Sequence, residues 1–248
     1  MRTTKIEWTE RTWNPVTGCT KISAGCEHCY AETMARRLYA MGNPKYHNGF
    51  QSTIHPEDLI EPMRWKKPST IFVCSMSDLF HSDVPFDFID KVFGVIRNTP
   101  QHNYQILTKR AERMAEYFAS RTIPGNVWIG VTVENPKAKN RIDYIRNLKA
   151  SVRFISCEPL LEDLGELDLS GIKWIIVGGE SGVQARPMKE EWVLNIKRQA
   201  DKNNIPFFFK QWGTWSVDGI KGNKKINGKL LQGKIVQNMP TRFYMQKR

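Results

Sequence analysis

The chain has 248 residues, 40% hydrophobic and 25% charged, and Lys and Arg outnumber Asp and Glu by 37 to 25, a net charge of +12. That length supports one sizeable core, no apolar run is long enough to span a bilayer, and the charged N-terminal stretch MRTTKIEWTERTW lacks the apolar centre of a signal peptide. A cytoplasmic protein without a membrane partner is therefore expected, its five cysteines serving as metal ligands or buried thiols rather than disulfides, and its basic excess suited to a polyanion such as nucleic acid.

In chain order, a first strand is expected at 13–17, followed by a cysteine-rich loop and a helix over 31–41. Residues 42–69, with four prolines and two glycines, read as an irregular insertion. Six apolar, β-branched-rich runs then recur at 70–78, 103–110, 126–135, 151–159, 172–181 and 205–213, the pattern of strands buried on both faces of a parallel sheet. Between them, 86–98 and 189–203 carry apolar residues at helical spacing, and 109–120 and 137–148 are shorter versions. This alternation predicts an α/β fold, a partial (β/α) barrel with parallel strands, over residues 1–213. A doubly wound open sheet is the alternative, though no G-x-G-x-x-G follows the first strand. Residues 214–248 form a basic C-terminal extension in which Lys221, Lys224, Lys225, Lys229 and Lys234 crowd together, as a hairpin cover or a mobile tail.

Each of the six runs ends in polar residues: Ser75, Ser77 and Asp78; Thr108, Lys109 and Arg110; Thr132, Glu134 and Asn135; Cys157 and Glu158; Gly178 to Ser181 with Glu180; Lys210 and Gln211. Helix caps and turns explain the serines, the glycines and Asp78, but they explain Glu158 before Pro159, Glu180 or Lys210 poorly. Strands of a barrel all open at one face, where barrel enzymes place their chemistry.

The stretch GCTKISAGCEHCY, residues 18–30, holds three cysteines spaced C-x6-C-x2-C. Zinc would need a fourth ligand, and His28 abuts Cys29 too closely to serve the same ion easily. A 4Fe–4S cluster bound by three thiolates keeps one iron open for a substrate or cofactor, for which S-adenosylmethionine is the known chelator. Packing as small apolar residues is the third reading, disfavoured by the glycines and polar neighbours of the stretch.

TWNPVTGC, CYAE, SMSDLFH, LTKR, GVTVEN, SCEPLL, VGGESG with ARPM, and FFFKQWG, in this order, resemble the radical-SAM-like phage and prophage family often encoded beside a three-Cys-motif partner protein. The resemblance spans about Trp13 to Pro240. It implies a barrel of the radical-SAM type, a 4Fe–4S cluster on Cys19, Cys26 and Cys29, S-adenosylmethionine as co-substrate and an external electron donor. The first cysteine gap is longer than the commonest radical-SAM spacing, and Gly178-Gly179-Glu180 comes four strands later than the usual amine-binding motif. Ser75, Ser77 and Asp78 are therefore expected to hold the SAM amine, Lys109 or Arg110 its carboxylate, and Glu134 and Asn135 its ribose. Glu158, Glu180, Lys210 and Gln211 are expected to act on the substrate, with Arg186 and Trp212 beside them, and Cys74 or Cys157 are candidate hydrogen-atom donors.

These expectations combine in a radical SAM enzyme that forms a 5′-deoxyadenosyl radical and abstracts hydrogen from a substrate, with a nucleotide or nucleic acid as the candidate. The rival from another class is a zinc-stabilised nucleic-acid-binding protein without catalysis. A barrel hydrolase using Asp78, Glu134, Glu158 and Glu180 around a divalent metal is a second rival, with no histidine cluster to support it.

Overall fold

A computed structural model describes residues 4–241. Seven strands, β1 (Arg11–Trp13), β2 (Thr70–Val73), β3 (Asn103–Thr108), β4 (Val127–Thr132), β5 (Val152–Cys157), β6 (Trp174–Gly178) and β7 (Phe207–Gln211), form one parallel sheet. Their spatial order is their chain order, from β1 at one edge to β7 at the other. A doubly wound sheet reverses direction at a switch point, whereas this order is that of a barrel left open between its first and last strands. The architecture is thus an α/β half-barrel, as the alternation of the sequence predicts.

Strand periodicity separates two apolar layers. Ile71, Val73, Tyr104, Ile106, Val127, Ile129, Val131, Ile155, Ile175, Val177, Phe207 and Phe209 point to the helices. There they meet α2 (Phe86–Asn98), α3 (Ala111–Phe118), α4 (Arg141–Arg146) and α5 (Glu190–Lys202) through Ile89, Val92, Met114, Ile145, Val193 and Ile196. The alternate residues Phe72, Trp128, Phe154, Trp174, Ile176 and Phe208 fill the inner face together with Trp8, which packs edge-on against Phe72 at 4.7 Å. Burying each such ring contributes ~1.5–3 kcal/mol. The lower half of the half-barrel is therefore filled, with Gln105 of β3 the polar side chain set among these rings and donating from Nε2 to the Trp8 carbonyl at 3.2 Å.

The expected first strand at 13–17 is divided. β1 ends at Trp13, and Val16–Thr17 pairs instead with Thr53–Ile54 of the insertion. Pro15 has no N–H to give a sheet, and Asn14 turns its Oδ1 to Ser75 Oγ and the Met76 N–H. The insertion consists of 3-10 turns at Pro44–Tyr46, Pro56–Asp58 and Glu61–Arg64, and Trp13 Nε1 is anchored on the Asp58 carbonyl at 2.8 Å. The expected helix at 137–148 is a 3-10 turn at Pro136–Ala138 followed by the short α4.

The C-terminal extension folds back on β7. Phe209 N–H donates to the Val236 carbonyl at 2.7 Å, Asn238 N–H to Phe207 at 3.0 Å, and a hairpin of Leu230–Leu231 with Lys234–Ile235 stands beside it. An edge that would otherwise offer unpaired backbone groups is covered. Trp212, expected to stack on substrate, lies under this cover with its Nε1 on the Leu230 carbonyl.

Gly130 on β4 faces inward against Phe154, and a Cβ there would stand 2.4 Å from that ring. Gly130→Ala should cost ~1–3 kcal/mol, lowering the denaturant midpoint at unchanged slope in an equilibrium unfolding titration.

Candidate functional site

The cysteine loop leaves Val16–Thr17, crosses the C-terminal ends of the strands and enters α1 (Tyr30–Ala40), with one 3-10 turn, Ala24–Cys26, as its only regular structure. Its start is set by the insertion. Gly18 has φ +76° and a Cβ there would stand 2.1 Å from the Gln51 carbonyl, while Cys19 N–H donates to Phe50 at 3.0 Å. Cys29 is the N-cap of α1.

Two arginines hold the loop down. Arg110, just after β3, donates from Nη1 to Cys19 Sγ at 3.4 Å and to Asp78 Oδ2 at 3.2 Å, and from Nη2 to the Thr20 carbonyl and hydroxyl at 3.0 Å. His81 Nε2 also meets the Thr20 hydroxyl, at 2.9 Å. Arg186, after β6, donates to Glu180 through its backbone N–H and its side chain at 2.6–2.9 Å, and reaches back to the Ala24 carbonyl at 2.9 Å and Glu27 Oε2 at 2.6 Å. His28 Nδ1 stands 3.2 Å from Glu180 Oε2. Between the clamps Gly25 rests on Glu134, where a Cβ would approach the Glu134 Cγ to 3.1 Å. Glu134 is fully buried, with Oε2 receiving Arg141 Nη1 at 2.7 Å. Its Oε1 has no hydrogen-bond partner among the described residues.

Several expected roles meet a different arrangement. Asp78 is buried and its carboxylate accepts from Thr108 Oγ1, the Phe80 and Lys109 N–H groups and Arg110, so it is committed rather than open to an amine. Ser75 Oγ donates to Asn14 and Ser77 Oγ to the Val16 carbonyl. Glu180 anchors Arg186 rather than standing free to move protons. Burial works to raise its pKa, but the hydrogen bonds from Arg186 and His28 outweigh it and hold the carboxyl below its usual range. Lys109 forms no ion pair, and the Asn135 side chain no hydrogen bond, among the described residues; Glu134 and Asn135 are buried beneath the loop, and of the three only Lys109 is partly exposed.

Glu158 and Lys210 come together at the mouth: Lys210 Nζ lies 2.8 Å from Glu158 Oε1, and Ser156 Oγ donates to Oε2 at 3.0 Å. Gly178 leaves room for them, since a Cβ there would approach Glu158 Oε1 to 3.0 Å. Gln211 Nε2 donates to the Gly179 carbonyl at 3.0 Å. Cys74 and Cys157 do not reach the mouth; both are buried in the helix-side core, and burial pushes the Cys74 thiol up to about 12 and raises that of Cys157. Sequence reasoning missed the clamping role of Arg110 and Arg186, and Arg141 altogether; the only local signal is the six-residue spacing of Glu180 and Arg186.

Cys19, Cys26 and Cys29 are partly exposed and unpaired. Burial, together with Asp78, raises the Cys19 thiol against the opposing pull of Arg110. The three sulfurs are not gathered to within 4.8 Å of one another. A single tetrahedral zinc with Zn–S of about 2.3 Å would require ~3.8 Å, whereas a cluster spreads its thiolates over separate irons. Three soft donors in one loop fit a cluster that takes three thiolates from the protein.

Parallel strands delivering a three-thiol loop to their C-terminal ends define the class: an α/β half-barrel with a three-cysteine loop over its mouth. The chain belongs to the family described as "Protein of unknown function (DUF5131)", which matches residues 3–240. No curated protein matches. Among solved structures it is similar to spore photoproduct lyase complexed with dinucleoside spore photoproduct, at 11% identity and a TM-score of 0.41 over 81% of this chain. A mutant of that enzyme with bound AdoMet and dinucleoside spore photoproduct gives 9% identity and 0.40 over 78%. The chain spans 65% and 62% of these two structures. No described helix is long and apolar enough to cross a membrane.

If Arg186 holds the second half of the loop, Arg186→Ala should raise the alkylation rate of Cys26 several-fold, leave that of Cys19 near wild type, and cost ~1–3 kcal/mol by stranding Glu180. Mass spectrometry after timed iodoacetamide labelling reads the first effect, and equal rates at Cys26 would show that other contacts hold the loop. Because the Glu180 pKa is depressed on folding, its contribution is present above the unfolded carboxyl range and lost as pH falls through the folded value. Wild-type stability should accordingly fall below about pH 4.5, and Glu180→Gln should flatten that slope in unfolding titrations across pH.

Proposed function

We propose that this protein is a radical enzyme that binds a 4Fe–4S cluster through Cys19, Cys26 and Cys29 and uses S-adenosylmethionine. The observation that carries the reading is the three-thiol loop clamped by Arg110 and Arg186 over the strand ends of a parallel half-barrel. A cluster held by Cys19, Cys26 and Cys29 would supply one-electron reduction, from an external donor, of S-adenosylmethionine, the source of a 5′-deoxyadenosyl radical that would take hydrogen from a substrate.

The chain's own residues supply position and charge. Arg110 directs a cation at Cys19 against the upward push of burial, Cys29 sits at the N-terminus of α1, and Asp78 fixes Arg110. Lys109 offers a cation for a carboxylate, whereas Glu134 and Asn135, expected at the ribose, are buried beneath the loop. Glu158 and Lys210, paired at the mouth, orient a polar substrate and hold or move a proton at Glu158 Oε1. The substrate in this reading is a nucleotide or nucleic acid, in keeping with the net charge, the setting is a phage or prophage cytoplasm, and a three-Cys-motif protein is the partner.

Anaerobically reconstituted wild type should be brown and bind iron. Cys19→Ala, Cys26→Ala and Cys29→Ala should each lose that iron, whereas Cys74→Ala and Cys157→Ala should retain it per folded molecule. Equal loss with Cys74→Ala, or a colourless zinc protein, would remove the reading. Reduced protein should also convert S-adenosylmethionine to 5′-deoxyadenosine, slowly alone and faster with substrate. Chromatography that finds only S-adenosylhomocysteine, or no product with several reductants, would refute the radical step.

A further inference from the structure

On the outer side of the cysteine loop, away from the aromatic interior, lies a groove of about 460 Å³. Its lining includes five cationic side chains, Lys109, Arg110, Arg113, Lys137 and Arg141, against a single carboxylate, Glu112. Arg110 and Arg141 are partly neutralised by Asp78 and Glu134. Lys109, Arg113 and Lys137 form no ion pair among the described residues; Arg113 lies over the Phe86 ring and donates from Nη2 to the Val84 carbonyl at 2.9 Å, but no acid neutralises its charge. The first turn of α3 contributes Ala111, Glu112 and Arg113, so its unpaired backbone N–H groups add to the positive field.

The neighbouring hollow is an internal comparison. It has about 260 Å³ and shares Asn140, but its Lys139 and Arg146 face Asp143 and Asp168, and Arg146 pairs with both acids. Its charge is balanced and that of the larger groove is not. Two exposed apolar side chains, Tyr144 and Ile22, flank the charged groove, and Ile22 belongs to the cysteine loop itself. Unneutralised cations beside an exposed ring are what a phosphate joined to a base requires.

We propose that this groove binds the phosphate of a nucleotide unit, with Lys137 contacting phosphate oxygens, the charges of Lys109 and Arg113 adding to the field around it, and Tyr144 stacking on the base. The inference rests on the phosphate-bearing substrate of the reading above and not on its radical step. The phosphate comes from a nucleic-acid backbone or from a free nucleotide; the groove's volume suits one unit of either, and its openness at the loop leaves a strand free to continue.

The test uses the full chain, fluorescent oligothymidylate read by anisotropy, and thymidine triphosphate as competitor. Oligothymidylate should bind at low salt, and Lys137→Glu should weaken it roughly tenfold while lowering the slope of log K against log salt by about 0.7 or more. Tyr144→Ala should weaken binding several-fold with the slope unchanged. Lys139→Glu in the balanced hollow and Lys225→Glu in the extension should have smaller effects. Displacement by thymidine triphosphate at concentrations comparable to the oligonucleotide would assign the groove to a free nucleotide, and resistance to it would assign the groove to a backbone. The proposal is overturned if neither probe binds at low ionic strength, or if Lys137→Glu and Tyr144→Ala bind like wild type. Lys137 and Tyr144 are both exposed, and circular dichroism checks that the variants fold. Failure of S-adenosylmethionine cleavage would sink the radical reading and leave these binding results standing.

Discussion

The geometry of the three-cysteine loop depends on two buried carboxylates. With one 3-10 turn as its only regular structure, the loop cannot fix three sulfurs by itself. Asp78 and Glu180, each about 6% exposed, hold Arg110 and Arg186 at defined angles, and those arginines in turn hold the two halves of the loop. Burying such charges is costly unless their hydrogen bonds are complete. Asp78 accepts from two backbone N–H groups, a hydroxyl and a guanidinium, and Glu180 from the backbone and side chain of Arg186 beside His28. Each anchor stands just beyond a strand or is tied to the next one, so the sheet sets the anchors and the anchors set the loop.

The sheet also determines where chemistry can occur. Aromatic rings fill its inner face up to the level of Phe154 and Phe208, and helices seal its outer face. Gly130 makes way for the Phe154 ring below, and Gly178 makes way for Glu158 above. Along β5 the alternation continues past the last strand residue: Ser156 and Glu158 turn to the mouth, while Cys157 between them turns to the core. A residue's step in that alternation, more than its chemical type, decides whether it is available to a substrate.

Much of the fold was legible because it rests on local pattern. The six apolar runs became β2 to β7, and 86–98 and 189–203 became α2 and α5, since burial on two faces and amphipathic spacing are properties of short windows. The first strand was misplaced because its neighbouring insertion competed for Val16 and Thr17, a partnership at a distance of nearly forty residues. The site was legible as a list of residues and not as a set of roles. An acid at a strand end reads the same whether it faces the mouth, like Glu158, or is enclosed by an arginine from elsewhere. Arg110 lies 32 residues from Asp78, and Arg186 lies 159 from Glu27; no window of sequence contains either pair. Trp212 likewise reads as an exposed aromatic until the extension folds over it.

The same division sorts the chain's cations. Arginine, with a planar fork of donors, takes the structural positions: Arg110, Arg141 and Arg186 each bridge a carboxylate to backbone or loop. Lysines carry the charge left over. Lys210 is matched by Glu158, whereas Lys109 and Lys137 stand beside the loop with no acid within ion-pair distance among the described residues. A net charge of +12 therefore does not describe the surface well. Two guanidinium groups, those of Arg110 and Arg186, are spent inward on holding the cysteine loop and a third, that of Arg141, on Glu134, and the lysines between them leave their field at the rim. Screening confines that field to roughly 8–10 Å in ordinary salt, which is close to the scale of the groove itself. Its unbalanced charge thus acts on a ligand already at the mouth, and the lysines of the extension act only on a chain long enough to reach both.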